Sequence, residues 1–408
     1  MDSRELDVLL YGAGGFTGRQ TVAYFSAHAP IGLRWGLAGR HPEKLKAARA
    51  AALGPSQPTE VLQADSGDLA SVDTAVSRAR VVLSTAGPFA LYGGPVVDAC
   101  VRFRAHYVDI TGETPWVLGL IARHHTQAAA DGVRIIPFCG FDSVPSDLGA
   151  LLLVEFLRSL GTECGQVKAA FRFHAGLNGG TVASMVELFE SGQAQRARDP
   201  FLLNGQTSQP GQVSANADPT GPLWDSDFGQ WLAPYLMGAV NTRVVRRSAA
   251  LAADTGVAYG PRFAYQEYMA SRSRLKATLL ATGSSVFQAL LDSPVRGILK
   301  GFLPRPGAGP SEEAIASGWF RCDLVATGED GRKAYGLVRD VGDPSNAVTV
   351  KCVCEAALAL ALDTAALPGA PGRGGILTPA FGLGDVLVDR LRARGMTLTA
   401  ASSGPAGG

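Results

Sequence analysis

The chain has no surplus of positive charge. Its 408 residues carry 37 Lys and Arg against 36 Asp and Glu, a net charge of +1. Binding a phosphate backbone needs concentrated positive charge, so no nucleic-acid partner is expected. The six cysteines, at 100, 139, 164, 322, 352 and 354, form no C-x-x-C pair. That argues against a disulfide framework or a zinc site and for reduced thiols in a cytoplasmic protein. There is no H-E-x-x-H, and His124 and His125, adjacent on one predicted helix, face different directions, so no metal is expected. No window approaches the roughly 18 consecutive apolar residues of a membrane span. The opening "MDSRELDVLL" enters a strand without the basic region and apolar stretch of a signal peptide.

What the chain does have is apolar residues and glycine. With 46% hydrophobic and only 18% charged residues it reads as globular, and its length allows two domains. Fifty glycines predict many tight turns and close backbone approaches. Up to residue 145, short apolar runs alternate with helical patterns: "DVLLYG", "LRWGLAGR", "TEVLQAD", "VVLSTAG", "HYVDITG" and "VRIIPFCG" read as six strands. Strands apolar nearly throughout, separated by helices, predict a parallel sheet covered on both faces. The fold class is therefore α/β, with a doubly wound Rossmann domain over 1–145. Over 146–370 the alternation breaks down and the pattern reads as an α+β domain for substrate or oligomerisation. Within it Ser146 is a candidate cap for "DLGALLLVEFLRSL", residues 197–234 a long loop or lid, and Glu329-Asp330-Gly331 the turn of a hairpin. Residues 401–408 read as a disordered tail.

"LLYGAGGFTGRQ", residues 9–20, joins the first strand to the first helix. Glycines at 12, 15 and 18 satisfy G-x-x-G-x-x-G, whereas G-x-G-x-x-G from Gly12 meets Thr17 at its third glycine. Unpaired amides at a helix N-terminus favour the pyrophosphate of a dinucleotide, and side chains would block its approach. Gly12 would allow the turn, Gly15 the close approach and Gly18 the packing of helix on strand, with Phe16 and Thr17 along the phosphates. The second strand ends in "AGRHPEK", with Arg40 where an NAD binder carries an acid, so NADP(H) is the expected cofactor. Asp65 either meets the adenine amino group or caps a helix. Ala86, Gly87 and Pro88, after the fourth strand, would form a small wall beside the nicotinamide.

Taken in order, "YGAGGFTGR", "LAGR", "STAGPFALYG", "YVDITGE" and "CGFDSVPSD" resemble the saccharopine dehydrogenase-like oxidoreductases, and within them the bacterial trans-acting enoyl reductases. "GAGPSEEAIASGWFRC" and "GGILTPAFGLGDVLVDRLRARGM" extend the likeness over nearly the whole chain. The resemblance implies an NADP-binding Rossmann domain, a second domain, and a segment at 371–400 that returns to pack near the first. It implies reduction of a carbon–carbon double bond in an acyl or polyketide substrate, presented by a polyketide synthase or its carrier protein. The wider family leaves two alternatives, a saccharopine-type dehydrogenase acting on an imine or amine and a non-catalytic NADP-binding regulator.

No tyrosine is followed four residues later by lysine, so the short-chain reductase mechanism is not supported. Tyr92 and Asp142 are the candidate catalytic proton donors; packing of Tyr92 and helix capping by Asp142 are the competing structural roles. Thr111 and Glu113 either bond cofactor or substrate or form a turn. Arg243, Arg246 and Arg247 read as a solvated helix face or a patch for a carrier protein. "SVFQALLDSPVRGILKGFLP" is either a peripheral membrane or tunnel element, or core or homo-oligomer contact.

Overall fold

Leu6–Tyr11 (β1) is buried along almost its whole length, as are Trp35–Gly39 (β2) and Ala79–Ser84 (β4). Strands without a polar face require cover on both sides. With Glu60–Gln63 (β3), His106–Asp109 (β5) and Arg134–Ile136 (β6) they form a parallel sheet. Each strand is followed by a helix: Phe16–His28 (α1), Pro42–Ala50 (α2), Leu69–Val76 (α3), Phe89–Arg102 (α4), Thr114–Ala130 (α5) and Val144–Ser159 (α6). The strand order β3-β2-β1-β4-β5-β6 reverses between β1 and β4, the switch point where such sheets bind ligands. The computed structural model describes residues 4–176, 179–205, 210–293 and 309–404.

Beyond α6 the chain builds a second, mixed sheet. It is made of Cys164–His174 (β7), Leu223–Asp225 (β8), Gln230–Pro234 (β9), Ala264–Ser271 (β10), Trp319–Gly328 (β11) and Lys333–Val341 (β12). Its helices are Gly179–Glu190 (α7), Ala194–Ala197 (α8), Pro210–Ala215 (α9), Gly238–Asp254 (α10), Arg274–Asp292 (α11) and Glu312–Ser317 (α12). Thr349–Leu362 (α13) follows a π turn at Pro344–Val348. Residues 344–362 are long and apolar enough to cross a bilayer, yet most of the stretch is buried, and it packs on α1 and the first sheet. Gly375–Ile376 (β13) then extends the first sheet beside β6, Pro379–Ala393 (α14) packs on α6 and α13, and Thr397–Ala401 (β14) pairs with β12.

Three local expectations change. The stretch 197–234 is not one loop: it contains α9, β8 and β9, and β9 pairs with β10 from Tyr268↔Pro234 to Ser271↔Trp231. Ser146 does not cap α6, which starts two residues earlier at Val144 with Pro145 in its first turn and leaves Ser146 buried. Ala401 belongs to β14 rather than to a tail, because β12 offers it a ladder partner in Tyr335; residues 405–408 lie outside the described residues. Ile298, Leu299 and Phe302 also lie outside them.

Candidate active site

Gly12 closes β1 at φ +84°, and a Cβ there would come within 2.9 Å of the Ala86 nitrogen. A Cβ on Gly18 would lie 2.2 Å from the Gly12 carbonyl oxygen and 2.8 Å from Ala13 Cα, so α1 can sit on β1 only with glycine at this position. Gly15 differs. A Cβ there would meet only the Gly12 oxygen, at 3.3 Å, so the folded chain itself does not demand its bareness. Gly15 stands at the N-cap of α1 with no side-chain cap and faces two connected openings. The first amides of α1 are thereby left for an anion.

The smaller opening, about 230 Å³, is lined by Gly12, Gly14, Arg40, His41, Lys44 and Tyr92, among others. Arg40 directly follows β2, while His41 and Lys44 lie at the start of α2. Glu43, the acid among them, turns outward and pairs with Lys46 at 3.0 Å. His41 and Lys44 escaped the sequence reading; the signal was the basic spacing in "GRHPEK" on a helix start. The Arg40 guanidinium lies 5.5 Å from the Tyr92 ring centre. Tyr92 was expected in the nicotinamide pocket. It lines this smaller cleft together with Ala86 and Gly87 and does not line the larger cavity; on the first turn of α4 its ring meets Arg40. Asp65 is not in the lining. Its carboxylate accepts from the Gly67 amide at 3.0 Å, and Asp68 caps α3.

The larger opening encloses about 760 Å³ and shares Gly15, Thr85 and Gly87 with the smaller. Phe16, Thr17 and Pro88 border it, whereas Ala86 faces only the smaller cleft; Gly18 is buried in the packing of α1. Asp142 also lines the cavity. It does not cap α6, whose N-cap is Ser143, and among the described residues nothing hydrogen-bonds its carboxylate. Burial pushes that carboxyl up to about 6. Beside it is Tyr235, a cavity residue outside the sequence reading. Its ring stacks near Phe171, with centroids 5.1 Å apart, and burial and the Asp142 charge raise its phenol.

Three more carboxyls line the cavity but are engaged: Glu113, Glu267 and Asp218, the last paired with Arg243. Glu113 accepts from the Phe89 and Ala90 amides at 2.8 and 2.7 Å, capping α4, and from Ser184 Oγ at 2.7 Å. The Thr111 hydroxyl in turn accepts from the Glu113 amide at 3.0 Å. Glu267, pushed to about 7 by burial, accepts from the Tyr265 hydroxyl at 2.7 Å and Asn241 Nδ2 at 2.9 Å. Asn241 Oδ1 accepts from Ser143 Oγ at 3.3 Å, tying the Asp142 loop to β10. Among the described lining residues the only cation is Arg198, which is exposed and bonded to Asp292.

The arginines of α10 require a correction. Arg243, Arg246 and Arg247 are buried, forming neither a solvated face nor a docking patch. Arg243 donates to Asp218 at 2.7 Å and to the carbonyls of Arg198 and Asp199; Arg246 donates to those of Pro200 and Tyr265. They hold the chain segment that roofs the cavity. No group of His, Cys, Asp and Glu among the described residues is arranged to hold a metal.

Residues 8–136 match the family model of the saccharopine dehydrogenase NADP-binding domain. A Mycobacterium tuberculosis protein provisionally named a trans-acting enoyl reductase is 35% identical over 97% of both chains. The trans-acting enoyl reductase of Mycobacterium ulcerans is 32% identical over 97% of this chain and 98% of its own. The chain belongs to the trans-acting enoyl reductases, within the saccharopine dehydrogenase-like oxidoreductases. Its fold is that of the L-Glu-forming saccharopine dehydrogenase of Saccharomyces cerevisiae, with a TM-score of 0.52 at 13% identity over 97% of this chain and 99% of that one. This family member is an oxidoreductase with an NADP-binding domain, and the open cradle at Gly15 with Arg40, His41 and Lys44 beyond it suits that cofactor.

Proposed function

We propose that this protein uses NADPH to reduce the carbon–carbon double bond of an α,β-unsaturated acyl or polyketide chain carried as a thioester by a separate polyketide synthase. The large cavity carries this reading. Its walls are mostly apolar, it reaches the glycine turn at one end, and its described lining has no inward cation. A substrate with several carboxylates, as in saccharopine-type chemistry, would call for converging Arg or Lys. Gly12, Gly15, Phe16 and Thr17 would receive the pyrophosphate, and Arg40, His41 and Lys44 the 2′-phosphate. Gly87 and Pro88 would border the nicotinamide, which when bound supplies hydride to the β-carbon.

The remaining steps fall to side chains. The Tyr235 hydroxyl donates a hydrogen bond to the thioester oxygen, where negative charge develops. Asp142 delivers its proton to the α-carbon, leaves as carboxylate and regains a proton from water. One hydride and one proton thus add across the double bond.

The test is NADPH oxidation with an enoyl thioester, in the wild type and in Asp142→Asn and Tyr235→Phe. Loss of turnover by tenfold or more in both variants, with NADPH affinity kept, is expected. Turnover with glutamate plus a semialdehyde but none with thioesters would replace this reading with the imine one. Tight NADPH binding without turnover on either would leave a regulator.

A further inference from the structure

Helix α11 is built inside out. Its inward side carries Ala277, Ala281, Ser284, Gln288 and, in the last turn, Leu291; Ala281, Ser284 and Gln288 line the cavity. Its outward side carries Leu275, Leu279 and Val286, which are 69, 63 and 52% exposed, and Leu290. At 3.6 residues per turn these four fall within a sector of about 60° and form a stripe about 22 Å long. A helix that only packed on its own domain would place its leucines inward.

The charges beside the stripe are of one sign. Arg272, Arg274 and Lys276 are exposed at the start of α11, and no Asp or Glu occurs from 268 to 291. Cations at a helix N-terminus oppose the helix dipole, so this placement does not serve the helix. The acid at the far end, Asp292, is bonded to Arg198. Next to the cations, on the edge of the second sheet, Trp224 is 56% exposed and packs edge-on against Trp231, over which Arg274 also lies. Leucines in a row, flanking cations and an exposed tryptophan form the composition of a helix that lies in a bilayer interface.

We propose that α11 and the Trp224 edge dock this protein on an anionic lipid surface, with the apolar stripe in the acyl boundary and Arg272, Arg274 and Lys276 at the headgroups. A second copy meeting this face about a two-fold axis would bring these cations onto a stripe without acids to meet them. The docking does not depend on the reductase reading. If that reading holds, α11 separates the leaflet from the cavity and brings acyl chains to the cavity wall.

The test is co-sedimentation of the full-length protein with vesicles of phosphatidylcholine alone or with about one-third phosphatidylglycerol. Binding to the anionic vesicles only, weakened by salt, is expected. The bound fraction should fall at least tenfold in Leu279→Ser/Val286→Ser and in Arg272→Glu/Lys276→Glu. Unchanged NADPH affinity in both variants shows that they are folded. Equal binding by wild type and variants, or no binding to either vesicle, overturns the proposal. So does concentration-dependent dimerisation that the Leu279→Ser/Val286→Ser change abolishes in a protein that ignores vesicles.

Discussion

Arg40 and Tyr92 meet over the smaller cleft, guanidinium on ring at 5.5 Å, although one follows β2 and the other lies in α4. The pair joins the charge suited to a 2′-phosphate to a flat surface suited to adenine. Arg40→Ala should weaken NADPH binding about 10- to 100-fold, as loss of a charge-assisted bond does, and leave NADH nearly unchanged. Fluorescence titration with both cofactors reads this; an unchanged preference would refute the assignment.

The same geometry keeps Tyr92 out of the lining of the larger cavity. Tyr92→Phe keeps the ring and should leave turnover within about threefold, whereas loss of a true proton donor costs about 10²- to 10⁴-fold. Steady-state rates at saturating NADPH decide between the two.

Gly15 and Gly18 should fail in different ways. Gly18→Ala drives a methyl into the Gly12 carbonyl and should lower the melting temperature sharply or prevent folding. Gly15→Ala should fold with stability within about 1 kcal/mol of wild type yet bind NADPH at least tenfold more weakly. Thermal melts and titrations on one pair of variants test both halves.

Asp142 carries a pH signature. Its folded carboxyl, near 6, is above its ordinary 3.8. The native state therefore holds the proton more tightly, and stability falls as pH rises from about 4 to 6. The penalty at neutral pH is on the order of 3 kcal/mol. Asp142→Asn should be more stable than wild type at pH 8 and lose that advantage at pH 4, as read by denaturant melts. As the donor must be protonated, wild-type kcat/KM should decline above about pH 6.

The buried Arg243 pairs with Asp218, whose carboxylate is 36% exposed, and holds the carbonyls of Ala197, Arg198 and Asp199 in the cavity roof. Arg243→Met leaves that roof unanchored and should cost about 1–3 kcal/mol in denaturant melts, since Asp218 can turn to water but the carbonyls cannot. A merely solvated arginine would lose under about 0.5 kcal/mol.

The local pattern carried the first domain. Six apolar strands alternating with helices admit one sheet type, and the glycines and Arg40 mark its switch point because those positions are set by neighbours a few residues away. The sequence also resembles one family over nearly its full length, and that likeness holds. The α10 arginines show where such reading stops. Their spacing is that of a wet helix face, and only the packing of residues 197–200, 218 and Tyr265 over α10 supplies Arg243 and Arg246 with carbonyls and a carboxylate indoors.

By itself, then, the sequence determined a doubly wound dinucleotide domain with a basic residue at the end of its second strand, since both follow from short-range periodicity and turn chemistry. Tertiary structure alone decided that Tyr92 faces Arg40, that Tyr235 stands beside Asp142, and that α11 turns Leu275, Leu279 and Leu290 outward. Each of these depends on elements far apart in the chain whose relative placement no local pattern encodes. Burial, which shifts the Asp142 carboxyl and charges the surface of α11 with meaning, exists only once those elements have packed.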